Sequence, residues 1–298
     1  MAPTNRGSIA ALLAPDLHKV FFETGKERPL EHPYWINVGE MPYNPMTDQA
    51  VAGLGTMPAK NEGASFTLDE LMIGGTKTYT ASAWGMACEI TWEAYRDELY
   101  GALQEMVRGM QKAARYRQEV QAHLLLNNAF TSGTGFDSGY LCATSRTKID
   151  GSSWANRPTV DIGLSLAGIQ AMSTAFENLT DERSMPRLMA ASMLIIHHSK
   201  KFIAREIFGS GGKPYTAQNE INAILDEDLK YFCSHYLTST TAWFGHVPKA
   251  DHDVNMYWRD YPIFDCFDDP RTKNAITTAY QRFATGFGSA YGWWGTTG

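Results

Sequence analysis

Between Glu93 and Phe130 the apolar positions Leu99, Leu103, Met106, Val107, Met110, Ala113, Ala114, Val120 and Leu124 recur with a helical period. Glu105, Arg108, Lys112, Arg115, Arg117 and Glu119 fall mostly on the other face. The pattern predicts one helix over Asp97–Leu126, roughly 45 Å long at about 1.5 Å per residue, ended by Asn127, Asn128 and the glycines at 133 and 135. Upstream, Trp84, Met86, Cys88 and Ile90 alternate with small or polar residues, so Thr76–Ile90 reads as a strand with one apolar face. The preceding stretch Gln49–Ser65, rich in Gly, Ala and Pro, has no period and reads as a flexible tip. Together they predict a two-stranded projection, and because an isolated ribbon is marginally stable it should rest on something outside its own lobe.

Towards the N-terminus, Pro15, Pro29, Pro33, Pro42 and Pro45 exclude a long helix beyond a brief Leu17–Thr24 stretch. This is an extended arm whose Phe21, Phe22, Tyr34, Trp35 and Ile36 need a surface to cover them. Downstream, the pattern predicts helices at Leu164–Glu177 and Lys200–Phe208 and strands at Met193–Ile196, Lys230–Tyr236 and Ala242–Phe244. The β-prone closing stretches are Val254–Ile263 and Ala275–Trp294. Interleaved helices and strands of this kind indicate an α+β chain.

The 298 residues are long enough for about two lobes and a sizeable core. With 44% hydrophobic and only 19% charged residues, part of the surface is expected to meet other protein. Thirty-two acidic against 26 basic side chains leave a net charge of -6, which excludes a polyanion-coating role. The 4 cysteines form no C-x-x-C pair, which disfavours a zinc ribbon or disulfide scaffold and fits a reducing compartment. The apolar run Ile9–Ala14 is too short for a signal peptide or a membrane span.

Sites of chemistry are scarce. Gly209–Lys213 (GSGGK) would need Gly in place of Ile207 and Ser or Thr in place of Pro214 to be a phosphate loop, so it reads as a turn. His197 and His198 are neighbours expected to point in different directions, and no H-E-x-x-H accompanies them. Asp251, His252 and Asp253 suit a solvated loop; Asp265, Asp268 and Asp269 suit an acidic turn closed by Pro270. Cys233 and His235 share a strand face, where a buried thiol beside a packed imidazole is simpler than a nucleophile and base. Trp293 and Trp294, with Tyr280, Phe283, Phe287 and Tyr291, have few cations around them for a nucleic-acid platform and fit a buried sheet edge or a subunit contact better.

Several short segments, taken in order, carry a resemblance. They are Asp97-Glu98-Leu99-Tyr100-Gly101, Leu126-Asn127-Asn128-Ala129-Phe130, Ala204-Arg205-Glu206-Ile207, Thr216-Ala217-Gln218-Asn219-Glu220-Ile221-Asn222, Thr241-Ala242-Trp243-Phe244, Arg282-Phe283 and Tyr291-Gly292. From about Gly53 to Gly298 the chain resembles the major capsid proteins of tailed bacteriophages with the HK97-type fold, particularly the branch like the Mu major head subunit. Arg146, where that family often has His, and Ala290, where it commonly has Arg, depart from the pattern.

The resemblance implies an N-terminal arm (1–47), an extended β-ribbon loop (48–90) and a peripheral domain with a long spine helix (91–159). It further implies an axial domain (160–245) and C-terminal strands completing both domains (246–298). It implies a structural subunit without catalytic residues, cofactor or metal, self-assembling as hexamers and pentamers into an icosahedral shell around double-stranded DNA. The shell would be assembled in the bacterial cytoplasm and end in the virion. Portal and separate scaffolding proteins would be partners, a decoration protein is a further candidate, and no membrane is involved.

Candidate subunit-interface residues are Met57, Lys60, Asn61 and Glu62 at the tip, with Phe21, Phe22, Trp35, Trp293 and Trp294. Lys60 and Asn61 are of the types that form isopeptide links, but a solvated tip is the plainer reading. Arg108, Lys112, Arg115 and Arg117 are candidates for weak DNA contact, against a solvated helix face balanced by Glu105 and Glu119. The rival readings are an encapsulin-like compartment shell and an α+β enzyme with a site near His197–Lys201 or Asp265–Asp269.

Overall fold

The computed structural model describes residues 9–23, 29–91, 100–212, 221–269, 271–272 and 274–298, the side chains of 9–15 and 100–103 excepted. In chain order the elements are α1 (Ile9–Glu23), β1 (Asn37–Glu40), β2 (Met46–Ala52), β3 (Met72–Tyr79), β4 (Ser82–Ile90) and α2 (Tyr100–Asn127). There follow β5 (Arg146–Thr147), β6 (Ser153–Trp154), α3 (Leu166–Glu177), β7 (Met193–His197), α4 (Lys201–Gly209) and β8 (Lys230–Ser234). The chain closes with β9 (Trp243–His246), β10 (Val254–Asp268), β11 (Ala275–Phe287) and β12 (Trp293–Thr296).

The long hairpin β10–β11 organises a first sheet in the order β1-β10-β11-β4, with β1 parallel to β10 and the other pairs antiparallel. Its register slips between Asp260 and Ile263, where Pro262 has no N–H to give to a ladder. The second sheet runs β12-β9-β7-β8, parallel only between β7 and β8. One core cluster joins the two sheets and α2 through Trp35, Leu126, Phe244, Met256, Phe287 and Trp293. Another packs α3 and α4 on the second sheet through Ile169, Met172, Leu194, Ile207 and Trp243. Here the packing is close at Gly245, where a Cβ would stand 2.0 Å from the Met172 sulfur and would require that side chain to move. The last strand is tied down by Asp161, which pairs with Arg157 at 2.7 Å and accepts from the Thr296 hydroxyl at 3.1 Å. These bonds hold its carboxyl well below the usual carboxylate range.

Three expectations change. The stretch Thr76–Ile90 is two strands of different sheets: β3 pairs with β2, whereas β4 pairs with β11. Of the alternating set, Trp84, Cys88 and Ile90 meet the core rather than a partner strand of the ribbon, whereas Met86 is exposed. Nor does the arm extend to residue 47, since β1 edges the first sheet and Trp35 and Ile36 are fully buried beside it. Lastly, α1 continues through Pro15 and buries Leu17 and Phe21 against Val107, Met110 and Phe264. Thr24 and Asp97–Leu99, parts of the predicted arm and long helices, lie outside the described residues.

Candidate functional site

The ribbon is β2 and β3, paired from Met46↔Tyr79 to Ala52↔Met72 with a bulge between Gln49 and Val51. Its root is fixed. Tyr79 is buried with Met41 and Ala284 and meets Tyr257 edge-on at 5.0 Å. Lys77 donates to the Thr134 carbonyl at 2.6 Å, and a Cβ on Gly75 would lie 2.0 Å from the Phe136 carbonyl oxygen, so only glycine allows that crossing. Further out, an open groove of about 680 Å³ separates Gln49–Val51 and Ile73–Gly75 from Glu182, Arg187 and Tyr291 of the body.

Beyond Ala52 the tip, Gly53–Leu71, leaves large apolar groups in water: Met57 is 97% exposed, Leu68 93% and Phe66 81%. Lys60, Asn61 and Glu62 are likewise exposed, with the Lys60 ammonium 4.9 Å from the Phe66 ring. Asp69 tethers the tip. It accepts from the Gly55 N–H at 2.7 Å and from Arg183 at 3.1 Å, and these bonds, Gly55 foremost, lower its pKa. Composition put a flexible tip at Gln49–Ser65, but Gln49–Ala52 belong to β2 and the tip runs from Gly53 to Leu71; the Gly75 crossing and the Asp69–Arg183 tether, the latter between residues 114 positions apart, have no local signature.

Of the other interface candidates only Phe22 is exposed. Phe21, Trp35, Trp293 and Trp294 are buried in this chain's own core and offer no face to a second subunit. Trp35 and Trp293 meet edge-on at 5.9 Å, and Trp294 lies 4.8 Å from Trp243. Phe283, Phe287 and Tyr291 are also interior, whereas Tyr280 is exposed, so all but one of these aromatics belong to the buried core.

The four cations of the spine helix α2 are not equivalent. Arg108 pairs with Glu105 at 2.5 Å, and the Arg117 guanidinium lies 3.5 Å over the Trp84 ring. Lys112 is exposed and Arg115 half-buried. Glu119, read from the sequence as a solvent-facing balance, is buried, while Leu124 from the apolar set is exposed.

The sequence candidates for chemistry resolve into structure. His197 and His198 do not diverge; the turn at the end of β7 brings their rings within 3.9 Å. Cys233 has its thiol pushed up by burial, the wrong direction for a nucleophile, and His235 is taken by Glu31 at 2.8 Å. His252 and Asp253 are not loop-solvated. His252 is buried, and Asp253 accepts from the Ser289 N–H at 3.0 Å. Asp269 caps its turn through the Arg271 N–H and the Thr272 hydroxyl, both at 2.9 Å; Pro270 is outside the described residues. The glycine turn after α4 is filled by Asn222, which donates to the carbonyls of Ile207 (2.6 Å) and Ser210 (3.0 Å), with Lys213 outside the described residues. The departure at Arg146 is structural: it grips Asp137 through two bonds at 2.7 and 2.8 Å from a buried position. Among the described residues no group of three or more His, Cys, Asp or Glu side chains is placed to hold a metal ion, and no helix is long and apolar enough to cross a membrane.

Comparison with known proteins places this geometry. The family described as "Phage capsid protein" matches residues 75–295. No curated protein sequence matches. Among solved structures, a chain from Microbacterium phage Oxtober96 superposes with a TM-score of 0.57 at 12% identity, over 90% of this chain and 91% of that one. The capsid structure of the cyanophage P-SCSP1u gives 0.57 at 10% identity, over 87% and 85%. A chain from Mycobacterium phage Patience gives 0.59 at 7% identity, over 96% and 87%. At such identities the structural likeness speaks to fold alone, and the sequence match carries the family without singling out the Mu-like branch.

Proposed function

Because this chain belongs to the phage capsid protein family and is a major capsid protein with the HK97-type fold, a component of the virion shell, we propose that it assembles there as hexamers and pentamers enclosing double-stranded DNA. The observation that carries this reading is the rooted ribbon with an unburied apolar tip. A firm root aims the projection, and Met57, Phe66 and Leu68 gain only when another surface covers them. We read that surface as a neighbouring copy, and Lys60, Asn61 and Glu62 as residues carried into the contact. The role is structural and non-catalytic. Portal and scaffolding proteins, and a decoration protein, are the further partners this role calls for. Electron microscopy of the full-length protein co-expressed with the scaffolding protein of its phage tests it. Closed shells with both six-fold and five-fold capsomers are expected, and purely monomeric material would overturn the reading.

DNA contact should be weak. With a net charge of -6, Arg108 engaged by Glu105 and Arg117 laid on Trp84, the spine helix keeps Lys112 and Arg115 as its freer cations. Confinement, rather than adhesion, then retains the genome. Capsomers at micromolar concentration and physiological salt are expected not to shift duplex DNA, since ordinary non-specific binders have Kd values of about 10⁻⁴ to 10⁻⁶ M. A shift at the tight end of that range that salt steeply weakens would show a local basic patch overriding the acidic total.

A further inference from the structure

We infer that the cleft between the spine helix and the first sheet is a binding site for a small amphipathic anion, an apolar body carrying one carboxylate or sulfonate. The cleft has a volume of about 350 Å³. It stays open because the residues facing each other across it are small: Ala113 and Ala114 on α2, Gly85 on β4 and Ala279 on β11. Phe21, Met86 and Met110 complete apolar walls. Met86 is left 49% exposed there, so the chain's own side chains do not close the space.

The polar groups of the cleft decide the charge of the ligand. Gln281 is already satisfied: its amide nitrogen donates to the Ala114 carbonyl at 3.0 Å and its side-chain oxygen accepts from Gln118 at 2.7 Å. Two donors are not. The Trp84 indole Nε1 and the Arg117 Nε are buried without a hydrogen-bond partner among the described residues. They belong to one stacked pair, since the Arg117 Cζ lies 3.5 Å over the Trp84 ring, and both side chains line the cleft. No Asp or Glu is among the described residues that line it. A ligand must therefore bring acceptors rather than donors, and the guanidinium selects a negatively charged one. A carboxylate or sulfonate has oxygens enough for both N–H groups. A multiply charged phosphate fits less well, because it would strand its further charge on methyl and thioether groups.

The body of the ligand displaces water from Phe21, Met86 and Met110, and the head group ends the isolation of the two donors. Mostly apolar walls with a few fixed polar groups, in a volume of about 300–1,000 Å³, are the usual form of a small-molecule site. This cleft lies at the small end of that range, which suits a body of one or two rings or a short alkyl chain. The rival occupant is an apolar side chain of a second copy, which would cover the walls but bring no charge to Arg117. The site belongs to the single subunit and does not depend on the assembly proposed above.

The test is a fluorescence titration of the full-length, unassembled protein at neutral pH with two probes. One is anilinonaphthalene sulfonate; the other is phenylnaphthylamine, the same ring system without the sulfonate. The sulfonate probe is expected to saturate one site per chain and to bind about tenfold more tightly than the neutral one. Arg117→Met is expected to remove that difference. Ala113→Leu, which fills the cleft, is expected to abolish binding of both probes without lowering the urea midpoint. No saturable binding to wild type would overturn the site. So would binding that a folded Ala113→Leu variant leaves unchanged, which would put the probe on apolar groups elsewhere, such as the ribbon tip. Equal affinity for the two probes would overturn the anion and leave the cleft to apolar side chains of a second copy. Should Ala113→Leu not fold, the two probes on wild type and on Arg117→Met still decide.

Discussion

Replacing Gly53–Leu71 with a two-residue Asn-Gly turn is expected to leave a folded, soluble subunit and to abolish closed shells. Ala52 and Met72 already face each other at the end of the ribbon, and a two-residue turn of this type matches the twist of such a pair. Little stability is removed, because Met57, Phe66 and Leu68 are exposed in the subunit and contribute no buried area. The tethers lost, from Arg183 to the Asp69 carboxylate and to the Glu70 carbonyl, are solvent-exposed contacts that water screens and replaces. An unfolding free energy within about 1 kcal/mol of wild type, together with only capsomers or open fragments by electron microscopy, is the expected pair of results. Normal closed particles would show that the tip has no part in assembly. A marked fall in stability would show instead that it packs on its own subunit.

The periodic elements were legible because their signal is local. The spine helix was read within one residue at its C-terminal end, and helix α3 within two at its start. What escaped was set by distant partners. The burial of Glu119 depends on backbone N–H groups 87 and 88 positions away, so its helix neighbours alone placed it in solvent. The i, i+4 spacing of Glu119 and His123 was a usable signal, but only His32 and Glu31 give it meaning. Alternation along Thr76–Ile90 gave the buried face and not the partner strand, so the change of sheet at Thr80–Ala81 was invisible. Trp35 and Trp293 were placed at an interface because aromatic residues enrich both interface cores and ordinary cores, and composition alone does not separate the two.

Those interior aromatics enclose two more imidazoles, and acid is expected to destabilise the whole subunit through them. His246 and His252 pack 5.3 Å apart, with Trp293 at 5.0 and 5.4 Å. Burial pushes their pKa values down, to about 4 for His246 and about 3 for His252, each also repelled by Lys249 and His252 further by His246. On unfolding both return to an ordinary value of about 6.5, so between the two limits the unfolded chain binds more protons than the folded one. Stability is then fully present above about pH 6.5 and is lost as pH falls towards 4 and then 3, by about 1.4 kcal/mol per pH unit for each histidine once well inside the window. Two such groups give a slope of roughly 3 kcal/mol per unit, large against the 5–15 kcal/mol of an ordinary domain. Urea midpoints of the full-length protein measured from about pH 7 to about pH 4.5 report that slope, and His252→Leu is expected to remove about half of it. Equal slopes in wild type and variant would mean that the acid sensitivity resides elsewhere.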